Sequence, residues 1–439
     1  MKTKLERIAA KARSNKRQRF TSLAHHITPQ LLGESLSEIP YNTSAGIDRI
    51  DIKKAQEKFS PWSQEVIKQI HQFGYRPPAA RRVYIPKPGK VEKRPLNVPT
   101  VFDRTLQRSV SKLLTGIYEA DFLDCSFGGR PKRNAHQAIA TVKKAIMARR
   151  VNYVYEADLK NFFGSLNHGW VERFIDLRVG DPRITTLIKR WLKAGHMENG
   201  QHEVSTVGAA QGGPISVLLS NIYLHYVLDL WIEKVVKPKL SGEVYYIRYL
   251  DDFILCFEKK TDAERFERVL VKRLAKFSLE LEPSKTRLIE FGRFANERVK
   301  RRKQKMQTFY FLGFTFFNSR AGNGGYALGI KTEKTRLRRS TAKLKQIISA
   351  KRHKPLLEQN LSINQFMTGT YCYYGIMGNI ESLRQLYYYA IKQWRKSLSS
   401  RSQSGRVNWE KYRKILHHYP IRRPRIFVGY KQLYQMALL

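Results

Sequence analysis

Two hydrophobic periods alternate along the chain and predict a mixture of helices and strands. Apolar residues at helical spacing (Leu106, Val110, Leu113, Leu114 and Ile117) predict a helix across 101–122. Residues 53–75 show the same spacing, and 266–281 reads as an amphipathic helix running into a strand. Short apolar runs bounded by turn residues predict strands at 152–159 and on both sides of a break within 245–257, "YYIRYLDDFILCF". Residues 81–101 read as two short strands around a Pro/Gly/Lys turn, and 42–52 as a loop leading into a short element. Residues 1–35 are basic and partly helical, and basic helices are predicted at 332–352 and 381–398. Hairpins mixed with helices, and no internal repeat, argue for an α+β fold rather than a doubly wound parallel sheet.

The charge narrows the class of partner. The 439 residues are 42% hydrophobic, within the globular range, and carry 81 Lys+Arg against 36 Asp+Glu, a formal charge of +45. Self-repulsion at that level opposes a compact state unless a polyanion binds, and nucleic acid is the first candidate. From residue 331 onward the imbalance sharpens to 23 Lys+Arg against Glu333, Glu358, Glu381 and Glu410, more than a salt-bridged solvated face requires. No apolar run is read as long enough to span a bilayer, and the first twenty residues lack the apolar segment of a signal peptide. Cys125, Cys256 and Cys372 are far apart and have no zinc-ligand spacing. A reduced, cytoplasmic setting is expected, without a membrane.

The break in 245–257 holds the candidate chemistry. Asp251 and Asp252 place two like charges side by side in an apolar surrounding, which repulsion and burial both disfavour. Aspartate is a common turn residue, and that is one reading. The other is a bound cation. Phosphoryl transfer with two metals needs carboxylates converging from separate elements, and Asp158, at the end of the strand "YVYEAD", is the candidate third ligand.

The order of several blocks carries more than any one of them. "IPKPGKVEKRPLNVPTVFDR" (85–104), "SFGGRPKRNAHQAI" (126–139), "DLKNFFGSLNH" (158–168), "AAQGGPISVLLSNIYLHYVLD" (209–229), "YLDDFIL" (249–255), "LELEPSKTRLIEFG" (279–292) and "FYFLGFTFF" (309–317) resemble, in order and spacing, the blocks of group II intron-encoded and group II-like bacterial reverse transcriptases. "SAGIDRI" (44–50) resembles their N-terminal extension, and "GTYCYYGI" (369–376) and "VNWEKYRKILHHYPIRRPRI" (407–426) resemble their thumb and C-terminal region. The resemblance covers nearly the whole chain. It implies a right-hand polymerase: N-terminal extension and fingers over 1–150, palm over 151–330 with a finger segment near 175–208, helical thumb over 331–400, and a short basic C-terminal region over 401–439.

The resemblance also implies roles. Asp158, Asp251 and Asp252 match the metal-binding triad, for two Mg²⁺ ions with Mn²⁺ as a substitute. Lys87 and Arg94 match cations that hold the triphosphate, and Lys285 a lysine near the leaving pyrophosphate. Phe162 matches the ring that excludes a ribose 2′-hydroxyl; a core aromatic is the alternative. Gln211, Gly212, Gly213 and Pro214 match the loop under the templating pair, Gln211 also touching the dNTP. Phe311, Leu312 and Gly313 match the hairpin that grips the primer end. The implied partners are an RNA template, a DNA primer, dNTPs and a structured intron RNA.

Three positions depart from the family pattern. Leu250 stands where Ala is common, Gly164 where Asp is, and Val217 where Pro is. None replaces a metal ligand. Strand alternation points the Leu250 side chain away from that of Asp251, and the resemblance puts it near the primer end. No Cys/His-rich endonuclease segment is seen, so target nicking by these residues alone is not expected. Two biological uses compete: an intron-encoded maturase that copies its own intron, and a free-standing host enzyme for DNA repair or defence. A non-catalytic splicing maturase is the reading from another class, opposed by the three aspartates; RNA synthesis on RNA is opposed by Phe162.

Overall fold

The structure, a computed structural model, describes residues 2–86, 93–198, 201–203, 207–208, 212–402 and 405–438. The strands in chain order are β1 (Ala80–Pro86), β2 (Lys93–Val98), β3 (Tyr153–Asp158), β4 (His196–Glu198), β5 (Gln201–Glu203), β6 (Val244–Tyr249), β7 (Asp252–Phe257), β8 (Arg287–Glu290), β9 (Phe309–Phe311), β10 (Phe314–Arg320) and β11 (Tyr326–Thr332). Among the described residues they form three sheets, ordered β2-β1-β4-β5, β6-β7-β3-β8 and β11-β10-β9. With helices packed on them, the fold is α+β.

The β6-β7-β3-β8 sheet organises the centre, and side-chain alternation divides its two faces. Tyr155, Ala157, Tyr246, Phe253, Leu255 and Phe257 face the largest core, with the Val101–Tyr118 and Pro214–Leu224 helices. Val154, Ile247, Ile254 and Cys256 face a second core with the Ala135–Ala148 helix and the β9–β10 hairpin. The predicted helix at 101–122 is thus found as Val101–Tyr118, its N-terminus capped by the Thr100 hydroxyl.

A third core joins the helices Lys334–Ala350, Leu356–Tyr374 and Ile380–Ser399 through Leu344, Ile348, Ile363, Met367, Leu386 and Trp394. Residues beyond 400 are shared between two cores. Val407, Tyr412 and Ile421 pack with these helices, whereas Val428 and Leu433 pack with the second core.

Three expectations change. The helix ending at Lys276 does not run into a strand; Leu281 makes only an isolated bridge to Leu159. The helical spacing over 53–75 resolves into two helices, Ile52–Glu57 and Phe59–His71. The continuous helical stretch Pro214–Lys239 is, by length and composition, apolar enough to cross a membrane, with mean hydropathy 1.4. Of that apolar window 78% is buried inside the protein. Most of its apolar side chains supply the main core, so its apolarity reflects burial inside the protein.

Candidate active site

Adjacent strands bring the three aspartates to one end of the central sheet. Asp158 closes β3 and Asp252 opens β7, and the two are directly paired in the antiparallel register. Asp251 precedes Asp252 in the two-residue turn from β6, closed by the Tyr249–Asp252 pair. Burial, then the charges of Asp158, Asp251 and Glu156, push the Asp252 carboxyl well above the usual carboxylate range. A hydrogen bond from the Leu312 backbone amide works in the other direction. Asp251 is raised by burial and by Asp158, with Lys285 and Arg94 opposing. Carboxyls that resist ionisation for want of countercharge suit a hard cation with oxygen ligands.

Lys285 reaches this cluster from the short helical turn Pro283–Lys285, its ammonium donating to Asp158 Oδ2. Burial works against its charge, but the hydrogen bond and charge of Asp158, with Asp252 and Asp251, outweigh that and raise its pKa. Arg94 sits exposed on β2, close enough for its charge to act on Asp251. The β1–β2 hairpin carries it there, with Ile85 opposite Arg94. Lys87 and Gln211 lie outside the described residues.

The remaining predicted residues surround the same end of the sheet. Gly213 caps the Pro214–Leu224 helix, with Pro214 in its first turn. Gly212 has φ +122°, and a Cβ there would stand 2.5 Å from the Asn97 carbonyl of β2, so this loop touches the hairpin that holds Arg94. Phe311, Leu312 and Gly313 join β9 to β10. Leu312 (φ +51°) and Gly313 (φ +78°) form the two-residue turn, the conformation that matches the twist of paired strands. The Leu312 carbonyl accepts from the Tyr373 hydroxyl at 2.9 Å. That bond links the turn beside Asp252 to the end of the Leu356–Tyr374 helix.

Phe162 is only 2% exposed and packs in the main core, edge-on to Phe163. Its position four residues after Asp158 suits a gate, and its burial suits a core ring.

Leu250 does not follow strand alternation. It sits in the hairpin turn with φ +58° and packs over a glycine pair. A Cβ on Gly128 would stand 2.7 Å from the Leu250 nitrogen and 2.8 Å from its Cγ. One on Gly129 would stand 2.4 Å from Val217 Cγ1 and 3.4 Å from Leu250 Cδ2. Leu250 and Val217, two of the three departures from the family pattern, therefore border one glycine. Gly164 lies elsewhere, against Asn161.

Among the described residues, the group whose possible metal-ligating atoms all lie within 4.8 Å of one another is His196, Glu198 and Glu203, on β4 and β5. It is not the aspartate cluster. Glu198 there accepts from the Tyr84 hydroxyl at 2.5 Å and the Arg82 guanidinium at 3.3 Å. With that cation in place, the group reads as an ion-pair network tying β4–β5 to β1.

Sequence reasoning passed over the buried framework beneath the turn. Arg248, in the apolar run "YYIRYL", and Asp229, in "HYVLDLW", are a fully buried ion pair at 2.6 Å. A charge inside each apolar pattern was the available signal.

Comparison with known proteins identifies a family. Residues 85–316 match the family described as reverse transcriptase (RNA-dependent DNA polymerase). The chain is 32% identical over 270 residues to the group II intron-encoded protein LtrA of Lactococcus lactis subsp. cremoris, covering 60% of this chain and 40% of that protein. It is 33% identical over 239 residues to protein YkfC of Escherichia coli K12, covering 48% of this chain and 62% of that protein. A protein in the cob intron of Schizosaccharomyces pombe is 32% identical over 188 residues, 41% of this chain and 23% of its own length. The aligned region thus spans about two-fifths of LtrA's length.

Proposed function

We propose, from the premise that the chain belongs to the reverse transcriptase (RNA-dependent DNA polymerase) family, that it extends a primer 3′-hydroxyl with dNTPs on an RNA template. The observation that carries this reading is the convergence of Asp158, Asp251 and Asp252 with Lys285 and Arg94 at one end of the sheet. Asp158, Asp251 and Asp252 would hold two divalent cations, Mg²⁺ or Mn²⁺, by hard oxygen ligands. When bound, such ions would neutralise charge on the attacking and leaving oxygens of the displacement. Arg94 would contact the triphosphate by its planar fork, and Lys285 would meet the negative charge that departs as pyrophosphate. The Leu312–Gly313 turn, beside Asp252, would position the primer end.

The basic helices Lys334–Ala350 and Ile380–Ser399 would contact phosphates of the duplex or of a structured RNA. The group II relative supports an intron RNA as that partner. The paired departures at Leu250 and Val217 support a second reading, a specialised free-standing enzyme with an altered seat for the primer end.

The test is extension of a DNA primer on an RNA template by wild type and Asp252→Asn in Mg²⁺. Extension by wild type alone is the expected result. Equal extension by both proteins removes the carboxylate assignment, and extension by neither removes the polymerase reading.

A further inference from the structure

Arg248 is 0% exposed, and all five of its N–H groups are engaged. Nε donates to Asp229 Oδ1 at 2.7 Å, and Nη2 to Asp229 Oδ2 at 2.6 Å and to Ser126 Oγ at 2.8 Å. Nη1 donates to Asn221 Oδ1 at 3.0 Å and to the Leu250 carbonyl at 3.1 Å. Asn221 in turn donates to the Gly128 carbonyl at 2.8 Å, and the Tyr246 hydroxyl donates to Asp229 Oδ1 at 3.0 Å. One guanidinium therefore joins its own strand β6 to the Leu250–Asp251 turn, to Asn221 and Asp229 of the continuous helical stretch Pro214–Lys239, and to Ser126.

Asp229 closes an irregular turn of its helix. Residues His225–Asp229 form a π-helical turn, with the Leu230 amide bonded to the His225 carbonyl. Such a turn inserts one residue into the helical repeat and rotates the residues beyond it, and π turns recur at functional sites. The 125–127 segment is fixed by the backbone of the same arginine. The Arg248 amide donates to the Cys125 carbonyl at 2.8 Å, and the Phe127 amide to the Arg248 carbonyl at 2.9 Å.

Stability is a weak explanation of this arrangement. A buried ion pair is often no more stabilising than apolar residues of the same volume, because desolvating two charges offsets their attraction. What Arg248 holds is a strained turn. Leu250, a non-glycine residue, has φ +58°, in the left-handed region that residues with a Cβ disfavour. The next residues are Asp251 and Asp252.

We infer that Arg248 is a positioning residue for the catalytic carboxylates: its fork holds the Leu250 carbonyl, and thereby the turn, in the geometry in which Asp251 and Asp252 bind a divalent cation. This rests on the proposed metal role of those aspartates. Lysine is not equivalent, since its point charge pairs with Asp229 but does not reach Asp229, Asn221 and Leu250 together.

The experiment uses the full chain in two forms. Arg248→Lys keeps a cation beside Asp229. The triple variant Arg248→Met, Asp229→Leu, Tyr246→Phe removes the whole charged group and leaves no buried carboxylate unpaired. Folding is followed by thermal melting, Mn²⁺ binding by calorimetry without nucleic acid, and extension by kcat with KM for dNTP. For a positioning role, Arg248→Lys binds Mn²⁺ at least fivefold more weakly and loses about 10–100-fold in kcat, with KM within twofold. The triple variant melts at or above wild type, yet shows the same two losses. A merely structural arginine would let the triple variant recover both readouts with its stability, and that result overturns the inference. So does wild-type Mn²⁺ binding and kcat in folded Arg248→Lys. If one variant fails to fold, the other decides. If wild type binds Mn²⁺ but does not extend primers, the polymerase reading fails while the Mn²⁺ comparison still decides the role of Arg248.

Discussion

Asp158 and Asp252 are opposed across neighbouring antiparallel strands, the last residue of β3 against the first of β7. Asp251 stands beside them in the turn, and Lys285 reaches in to donate to Asp158. Burial and repulsion raise both Asp251 and Asp252. The sheet holds at one end a store of unfavourable charge that a divalent cation would relieve, and most of the expected behaviour derives from it.

Replacing Asp252 by Asn should stabilise the cation-free protein and abolish its activity. The amide keeps the shape and removes a half-buried ionisable group from beside Asp158 and Asp251. Melting in a chelator should rise by about 1–3 °C, since each kcal/mol shifts the midpoint of a large domain by a few degrees. Added Mg²⁺ should raise the melting temperature of wild type more than that of the variant. Primer extension should fall by roughly 10²–10³-fold or more, as when a group stabilising transition-state charge is lost. A variant that melts lower and still extends primers would contradict both expectations.

The stability gain from Asp252→Asn should depend on pH with a definite sign. The folded-state pKa of Asp252 is raised above its ordinary value of 3.8, so the folded state binds this proton more tightly than the unfolded state. The resulting stability is fully present below 3.8 and is lost as pH rises through the folded value. The difference in melting temperature between Asp252→Asn and wild type in chelator should therefore grow as pH rises and close as it falls. Melting curves at several pH values measure it; a difference that grows toward acid pH would reverse the assignment.

Phe162→Val separates gate from core. As a gate, the change admits ribonucleotides, and the ratio of ATP to dATP incorporation on one template rises at least ~10-fold, about 1.4 kcal/mol of lost discrimination. As a core ring, it costs about 2–4 kcal/mol of stability and leaves the ratio unchanged. The 2% exposure makes some loss of stability the expected accompaniment in either case.

Binding to nucleic acid should weaken steeply with salt. Each neutralised phosphate contributes about −0.9 for duplex B-DNA or −0.7 for single strands to the slope of log K against log[salt]. Arg338, Lys343 and Lys345 are exposed on the Lys334–Ala350 helix. Changing all three to Gln should flatten the slope by about 2–3 if each contacts a phosphate. An unchanged slope would move the interface off this helix.

Leu250→Ala tests the altered primer seat. Leu250 packs on Gly128 and Gly129 beside Val217, so its loss leaves space next to the turn that carries Asp251. Extension on long, stable template-primers should rise, and use of primers held by only a few base pairs should fall. Melting must be followed in parallel, because a large-to-small change costs about 2–5 kcal/mol at a fully buried site. Equal responses of both primer classes in a folded protein would make Leu250 ordinary packing.

Local pattern determined much of this protein. Apolar periodicity sufficed for the Val101–Tyr118 helix and for β3, β6 and β7, because burying one face dictates where side chains of each period must lie. Ordered motifs pointed to Asp158, Asp251 and Asp252 as candidate cation ligands and to Lys285 and Arg94 as candidate phosphate partners. Tertiary structure alone decided the rest. The register pairing Asp158 with Asp252 depends on strands about ninety residues apart. Leu250 is left-handed in a turn whose carbonyl accepts from Arg248 and which lies against Gly128, contacts that strand alternation does not take into account. Phe162 was buried by packing from elements distant in sequence, and the apolar Pro214–Lys239 stretch became a core helix because other elements covered it. Periodicity reports which face of an element avoids water; which distant residues meet that face, and in what register, is set only when the whole chain packs at once.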